Sequence, residues 1–292
     1  NHVINVPKCG LFLDMGLGKT VSTLTAIKEL KYNRFQINKV LIIAPKKVAE
    51  GTWSKEKDKW NHTKDFRVSL VLGSQQKRIK ALSVNADLYI INRENIPWLV
   101  DYLRNDWYFD TVVIDESSSF KNSQSKRFKA LKMVLPKINR LIELTGTPSP
   151  NGVEDLWAQI YLLDQGERLE KYITHFRNRY MEPSKRNRSQ IFDYKVKEGV
   201  YDHIINKISD ICISMKSEDY LELPDLSYNE IPVVLNDKAR KDYDKMERDF
   251  VLELEEAEED ITAVNAAALS NKLLQISNGA VSVSYTHLTL PT

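Results

Sequence analysis

Three short stretches carry side chains whose type and spacing could handle a phosphate chain. The first is "DMGLGKT", residues 14 to 20. A glycine-rich turn opening a helix can close its backbone N–H groups around phosphate oxygens, and the helix N-terminus favours the negative charge. Gly16, Leu17, Gly18, Lys19 and Thr20 would form that cradle. Lys19 would reach the β- and γ-phosphates, and the Thr20 hydroxyl would ligate Mg²⁺. The general pattern also has glycine at position 13, where this chain has Leu13. The second stretch is "VIDES", in which Asp115 and Glu116 end an apolar run. Asp115 could hold Mg²⁺ from the side opposite Thr20, and Glu116 could take the proton of an attacking water. The third is "LTGTP", where Thr145, Gly146 and Thr147 offer hydroxyls and a close-approaching backbone. Taken alone, the second and third stretches are also ordinary surface turns; their order behind "GLGKT" gives them meaning.

Such groups need a scaffold that brings distant loops to one edge. Residues 10–13, 39–45, 68–73, 86–92, 111–116 and 139–146 are apolar runs that read as strands. Helix-like stretches lie between several of them. This alternation predicts an α/β fold with a parallel sheet covered on both faces, in which buried strands read as continuous apolar runs. Ligand sites in such sheets lie at the carboxyl ends of the strands. After Pro150 the pattern changes, and residues 153–209 read as helices with few strand signals. "LELPDLSYNEIPVVLN" (221–236) reads as an extended boundary, with long helical patterns beyond it. The aromatic residues of 157–180 read as core rather than as a base-stacking surface.

Composition excludes several classes. The chain has 292 residues, 42% of them apolar and 28% charged, the mix of a globular protein with a sizeable core. Its formal net charge is only +2, so the balance alone indicates no polyanionic partner. Seven basic residues and no acid fall between Ser117 and Arg140, a patch that suits either nucleic-acid backbone or water. Two cysteines and five histidines show no ligand spacing, which excludes a disulfide scaffold or a cysteine-rich zinc site and fits a reducing cytoplasm. No apolar run approaches the roughly 20 residues of a membrane span. The chain opens close to its first motif without methionine, and its uncharged last nine residues, 284–292, read as a non-native tail.

"DMGLGKT", "LIIAPKKVAEGTWSKE", "IINREN", "VVIDESSSFKN", "LTGTPSPN" and "ELPDLSYNEIPV" together resemble helicase superfamily two, and within it the Swi/Snf-type DNA-dependent ATPases, especially short phage forms. The resemblance covers nearly all of residues 10–235. It implies a RecA-like ATP-binding lobe over 1–152, a helical protrusion completing that lobe over 153–222, and the start of a truncated second RecA-like lobe over 223–283. It implies Mg²⁺ and ATP as cofactors and tracking along duplex DNA, in a host cytoplasm or nucleoid. Lys46, Asn92 and Arg93 become candidate contacts to the DNA backbone, although each is equally an ordinary residue at a strand end.

Two departures qualify the resemblance. Many members read Asp-Glu-Ala-His at the acidic motif, whereas here Ser117 and Ser118 follow the acids. The motifs that place arginine fingers on the second lobe are missing, and no glutamine precedes Gln36 to read adenine. Such a finger is worth roughly 10³ to 10⁵ in rate. Residues 1–283 alone are therefore expected to hydrolyse ATP poorly; turnover at the rate of an intact member would contradict this. The alternatives are another P-loop class, or a non-catalytic nucleic-acid-binding module. Oligomeric state is not legible.

Overall fold

The computed structural model describes residues 1–186 and 191–221, with scattered residues between 229 and 277. Asn1–Leu223 form one compact unit and Pro224–Thr292 a second. In the second, the described residues 243–248 are helical, and Arg240 pairs with Asp244 one turn on. Most of the expected second-lobe segment lies outside the described residues.

The first unit is built on seven strands: β1 (Lys8–Leu13), β2 (Val40–Ala44), β3 (Val68–Val71), β4 (Leu88–Asn92), β5 (Thr111–Asp115), β6 (Arg140–Thr145) and β9 (Cys212–Met215). All pair in parallel, in the order β3-β4-β2-β5-β6-β1-β9. Helices α1 (His2–Asn5), α2 (Lys19–Lys28), α3 (Lys46–Lys59), α4 (Gln75–Leu82), α5 (Ile96–Leu103), α6 (Lys126–Val134) and α7 (Glu154–Asp164) accompany the sheet, which carries a separate apolar cluster on each face. Leu41, Ile43, Val112 and Ile114 point into one cluster and Val40, Ile42 and Val113 into the other. Double coverage explains the unbroken apolar runs in β2 and β5.

The six strands expected from the sequence are present. The region read as helical is more mixed. It holds α7, α8 (Ile173–Tyr180) and α9 (Val200–Ile208), but also an antiparallel strand pair, β7 (Met181–Arg186) and β8 (Ile191–Val196). β7 contains Pro183 and three charged residues, so it lacks the apolar signal that marks a sheet strand. β9 was likewise hidden by its shortness. Trp157, Tyr161, Phe176 and Tyr180 are buried as expected, while Tyr172 is exposed.

Candidate nucleotide site and its neighbours

β5, β6 and β1 are adjacent in the sheet, and their carboxyl ends deliver the three motifs to one place. The turn after β1 uses Gly16 at φ 86° and Gly18 at φ 72°, a region that costs a side chain but not glycine. Gly18 caps α2, whose first two residues are Lys19 and Thr20, so the helix N-terminus faces the turn. The Lys19 ammonium donates to Leu13 O at 2.6 Å and to Asp14 O at 3.1 Å. It is thereby held over the loop where a phosphate chain would lie.

Asp115 is the last residue of β5. Its Oδ2 accepts from the Trp53 indole N–H at 2.9 Å, and its Oδ1 from the Glu116 N–H at 3.1 Å. Burial raises the Asp115 carboxyl above its ordinary range, and the charge of Glu116 adds to this; the Trp53 donor and the Lys19 charge oppose it. Each Asp115 oxygen keeps a lone pair beyond those bonds. With the Thr20 hydroxyl, this makes an all-oxygen donor set, which fits a hard cation such as Mg²⁺. Glu116 sits at φ 55°, a left-handed conformation that costs a residue with a Cβ.

Thr145 ends β6 fully buried, and its Oγ1 accepts from the Thr147 N–H at 3.1 Å. A side chain at Gly146 would put its first carbon 3.3 Å from Leu13 O. Glycine there lets the third motif close against the end of the first. Thr147 is exposed beside it.

The structure thus brings Gly16, Leu17, Gly18, Lys19, Thr20, Asp115, Glu116, Thr145, Gly146 and Thr147 to one edge. Lys46, Asn92 and Arg93 lie at the ends of β2 and β4, on the other half of that edge. Lys46 opens α3 exposed, 4.0 Å from Glu50. Asn92 and Arg93 both donate to Glu94, at 2.9 and 3.0 Å.

The basic stretch is largely engaged within the unit. Lys121 pairs with Asp155, Lys132 lies over the Tyr161 ring, Lys137 donates to Arg104 O and Asn105 O, and Arg140 donates to Val3 O and Ile4 O. Lys126, Lys129 and Lys132 are its exposed residues on α6.

Four further residues were not anticipated. Trp53 is a buried aromatic on the otherwise polar α3, a signal that could have marked it. Asp14 accepts from the Ser217 N–H and hydroxyl at 2.9 and 3.3 Å. Gln159 interrupts the apolar run of α7, and Glu143 interrupts that of β6.

The SNF2-related domain profile matches residues 5–279. The chain belongs to that family. The protein p41 of Acyrthosiphon pisum secondary endosymbiont phage 1 is 36% identical over 287 residues, covering 96% of this chain and 62% of that protein. The ISWI chromatin-remodeling complex ATPase ISW1 of Saccharomyces cerevisiae is 31% identical over 51% of this chain and 13% of its own length. In fold, the Sulfolobus solfataricus SWI2/SNF2 ATPase core, solved in complex with dsDNA, aligns with TM-score 0.59 and 23% identity, over 92% of this chain and 53% of that one. This likeness makes the SNF2-related sheet a RecA-like one. The chain spans less than two thirds of each of these relatives.

Proposed function

We propose that this chain is the nucleotide-binding core of a motor that couples ATP hydrolysis to movement on duplex DNA. The observation that carries the reading is the convergence of Lys19, Asp115, Glu116 and the Thr145–Thr147 turn at three neighbouring strand ends, in a chain of the SNF2-related family. Lys19 exchanges its carbonyl partners for β- and γ-phosphate oxygens, while the N–H groups from Gly16 to Thr20 cradle the phosphates. Thr20 and Asp115 would hold Mg²⁺, which when bound neutralises charge on the β- and γ-oxygens. Glu116 orients a water and takes its proton as the water oxygen bonds to the γ-phosphorus. The bond from that phosphorus to the β,γ-bridging oxygen breaks, leaving ADP and phosphate. The motifs that carry the arginine fingers the resemblance assigns to a second lobe are missing from these residues.

Duplex DNA as the track is supported by the archaeal relative, whose solved complex holds dsDNA. Lys46, Asn92 and Arg93 occupy the half of the strand-end edge not used by the nucleotide motifs. For Asn92 and Arg93 to take phosphates, they must give up or share Glu94. A host cytoplasm or nucleoid is the setting this reading implies.

The test is ATP hydrolysis by the full-length protein with and without duplex DNA, with Glu116→Gln as control. Strong stimulation by DNA, lost in the variant while ATP is retained, is expected. DNA-independent hydrolysis would remove the motor and keep the ATPase. Absence of both hydrolysis and ATP binding would favour a non-catalytic binding module.

A further inference from the structure

Beneath the strand-end edge, α7 touches the segments after β5 and after β6 twice. Gln159 is fully buried, and its Nε2 donates to Pro148 O at 2.6 Å and to Asp155 O at 2.8 Å. Two carbonyls on one side fix the amide orientation, because only the nitrogen can donate to them. Oε1 must then face Ser117, and the Ser117 hydroxyl donates to it at 2.9 Å. Ser117 follows Asp115 and Glu116 directly, and Pro148 closes "TGTP". One turn earlier on the helix, Asp155 makes a second bridge between the same segments. Its Oδ2 accepts from Lys121 Nζ at 3.1 Å and from the Asn151 N–H at 2.9 Å. Both Gln159 and Ser117 are fully buried, so removing Ser117 would leave Gln159 Oε1 a costly unpaired acceptor. Removing Gln159 would leave the Ser117 hydroxyl only the neighbouring Glu143 carboxyl.

We propose that Gln159 and Asp155 are positioning residues that clamp the Asp115–Lys121 segment to the Thr145–Asn151 segment, so that the water-activating and γ-phosphate-facing turns move as one body. This rests on the hydrolytic reading of the site. Neither residue touches the nucleotide motifs' reacting groups; both act through the backbone and through Ser117 and Lys121. Directly after the two acids, Ser117 commits its hydroxyl to α7. The clamp is therefore a feature of these residues and not of the motifs alone.

The experiment is steady-state ATP hydrolysis by the full-length protein carrying Ser117→Ala, Gln159→Leu, both together, or Asp155→Asn, with melting temperatures measured alongside. Each member of the buried pair is expected to lower kcat about ten-fold or more while the KM for ATP stays within about two-fold, as loss of alignment does. The double variant should lose no more than the worse single one, because both break one link. Asp155→Asn, which keeps the bond from Asn151 and weakens the ion pair to Lys121, should lower kcat less and fold normally. Lower melting temperatures with unchanged kcat, or kcat losses that multiply in the double variant, would overturn the clamp. If Gln159→Leu does not fold, unchanged kcat in both Ser117→Ala and Asp155→Asn would overturn it equally. An inactive wild type would instead fail the hydrolytic reading.

Discussion

Trp53 Nε1 donates to Asp115 Oδ2 at 2.9 Å, so a buried indole on α3 steers the carboxylate assigned to Mg²⁺. The bond holds one Asp115 oxygen and offsets part of the burial that disfavours its charge. Partners of this kind orient ligands and tune them. Trp53→Phe keeps an aromatic ring and removes the donor. The expected outcome is a several-fold higher Mg²⁺ concentration for half-maximal ATPase, with a stability loss of about 1–3 kcal/mol. Magnesium titration of both proteins checks it; coincident curves would refute the role.

Glu116 holds a left-handed backbone at φ 55°. Glycine adopts that conformation without the penalty paid by a residue with a Cβ. Glu116→Gly should therefore be inactive yet at least as stable as the parent, by up to about 1 kcal/mol. Chemical denaturation decides the matter: a clearly less stable variant would mean that the glutamate side chain also supports the fold.

Glu143 gives the stability a pH dependence with a definite sign. It is fully buried, the neighbouring Ser117 hydroxyl is committed to Gln159, and burial pushes its carboxyl well above the ordinary 4.5, with Ser117 opposing the shift only in part. The folded protein therefore keeps a proton that the unfolded chain releases. Stability contributed by the neutral acid is whole below the unfolded value and is lost as pH rises toward the raised folded value. Glu143→Gln, which mimics the neutral acid, should lose less stability than the parent between about pH 5 and pH 8. Parallel urea midpoints across that range would show that Glu143 is charged or solvated in the native state.

Asp14 ties the turn before Lys19 to Ser217, just past β9. Asp14→Ala should accelerate hydrogen exchange over residues 215–221 and cost about 1–3 kcal/mol. Asp14→Asn, whose amide oxygen can still accept, should recover most of the protection. Equal exchange in the parent and the alanine variant would mean that β9 pairing alone fixes this segment.

The sequence exposed what depends on contiguous residues. A strand covered on both faces needs no alternation, so "VLIIA" and "TVVID" declare themselves, and "GLGKT" carries its own turn chemistry. Contacts made by single side chains across the fold left almost no local trace. Trp53 meets Asp115 only because β2 and β5 are neighbours, and Gln159 meets Ser117 only because α7 packs under both segments. Glu143 looked like one polar letter in an apolar strand. β9 was missed because four residues with a serine and little burial carry too weak a pattern. The β7–β8 pair was missed because β7 is polar and carries a proline, which left the more apolar β8 without a visible strand partner.

The place of β1 in the sheet orders events during synthesis. β1 begins at Lys8 but lies between β6, which starts at Arg140, and β9, which starts at Cys212. At 5–20 residues per second, its nearer neighbour leaves the ribosome roughly 7 to 26 s later. Until then an apolar strand with two unpaired edges waits, a hazard for wrong pairing. The candidate phosphate-binding turn is thus encoded well over a hundred residues before the strands that flank β1 in the sheet. A ribosome-stalled chain ending before β6 should bind no nucleotide, while a chain that has released β9 should.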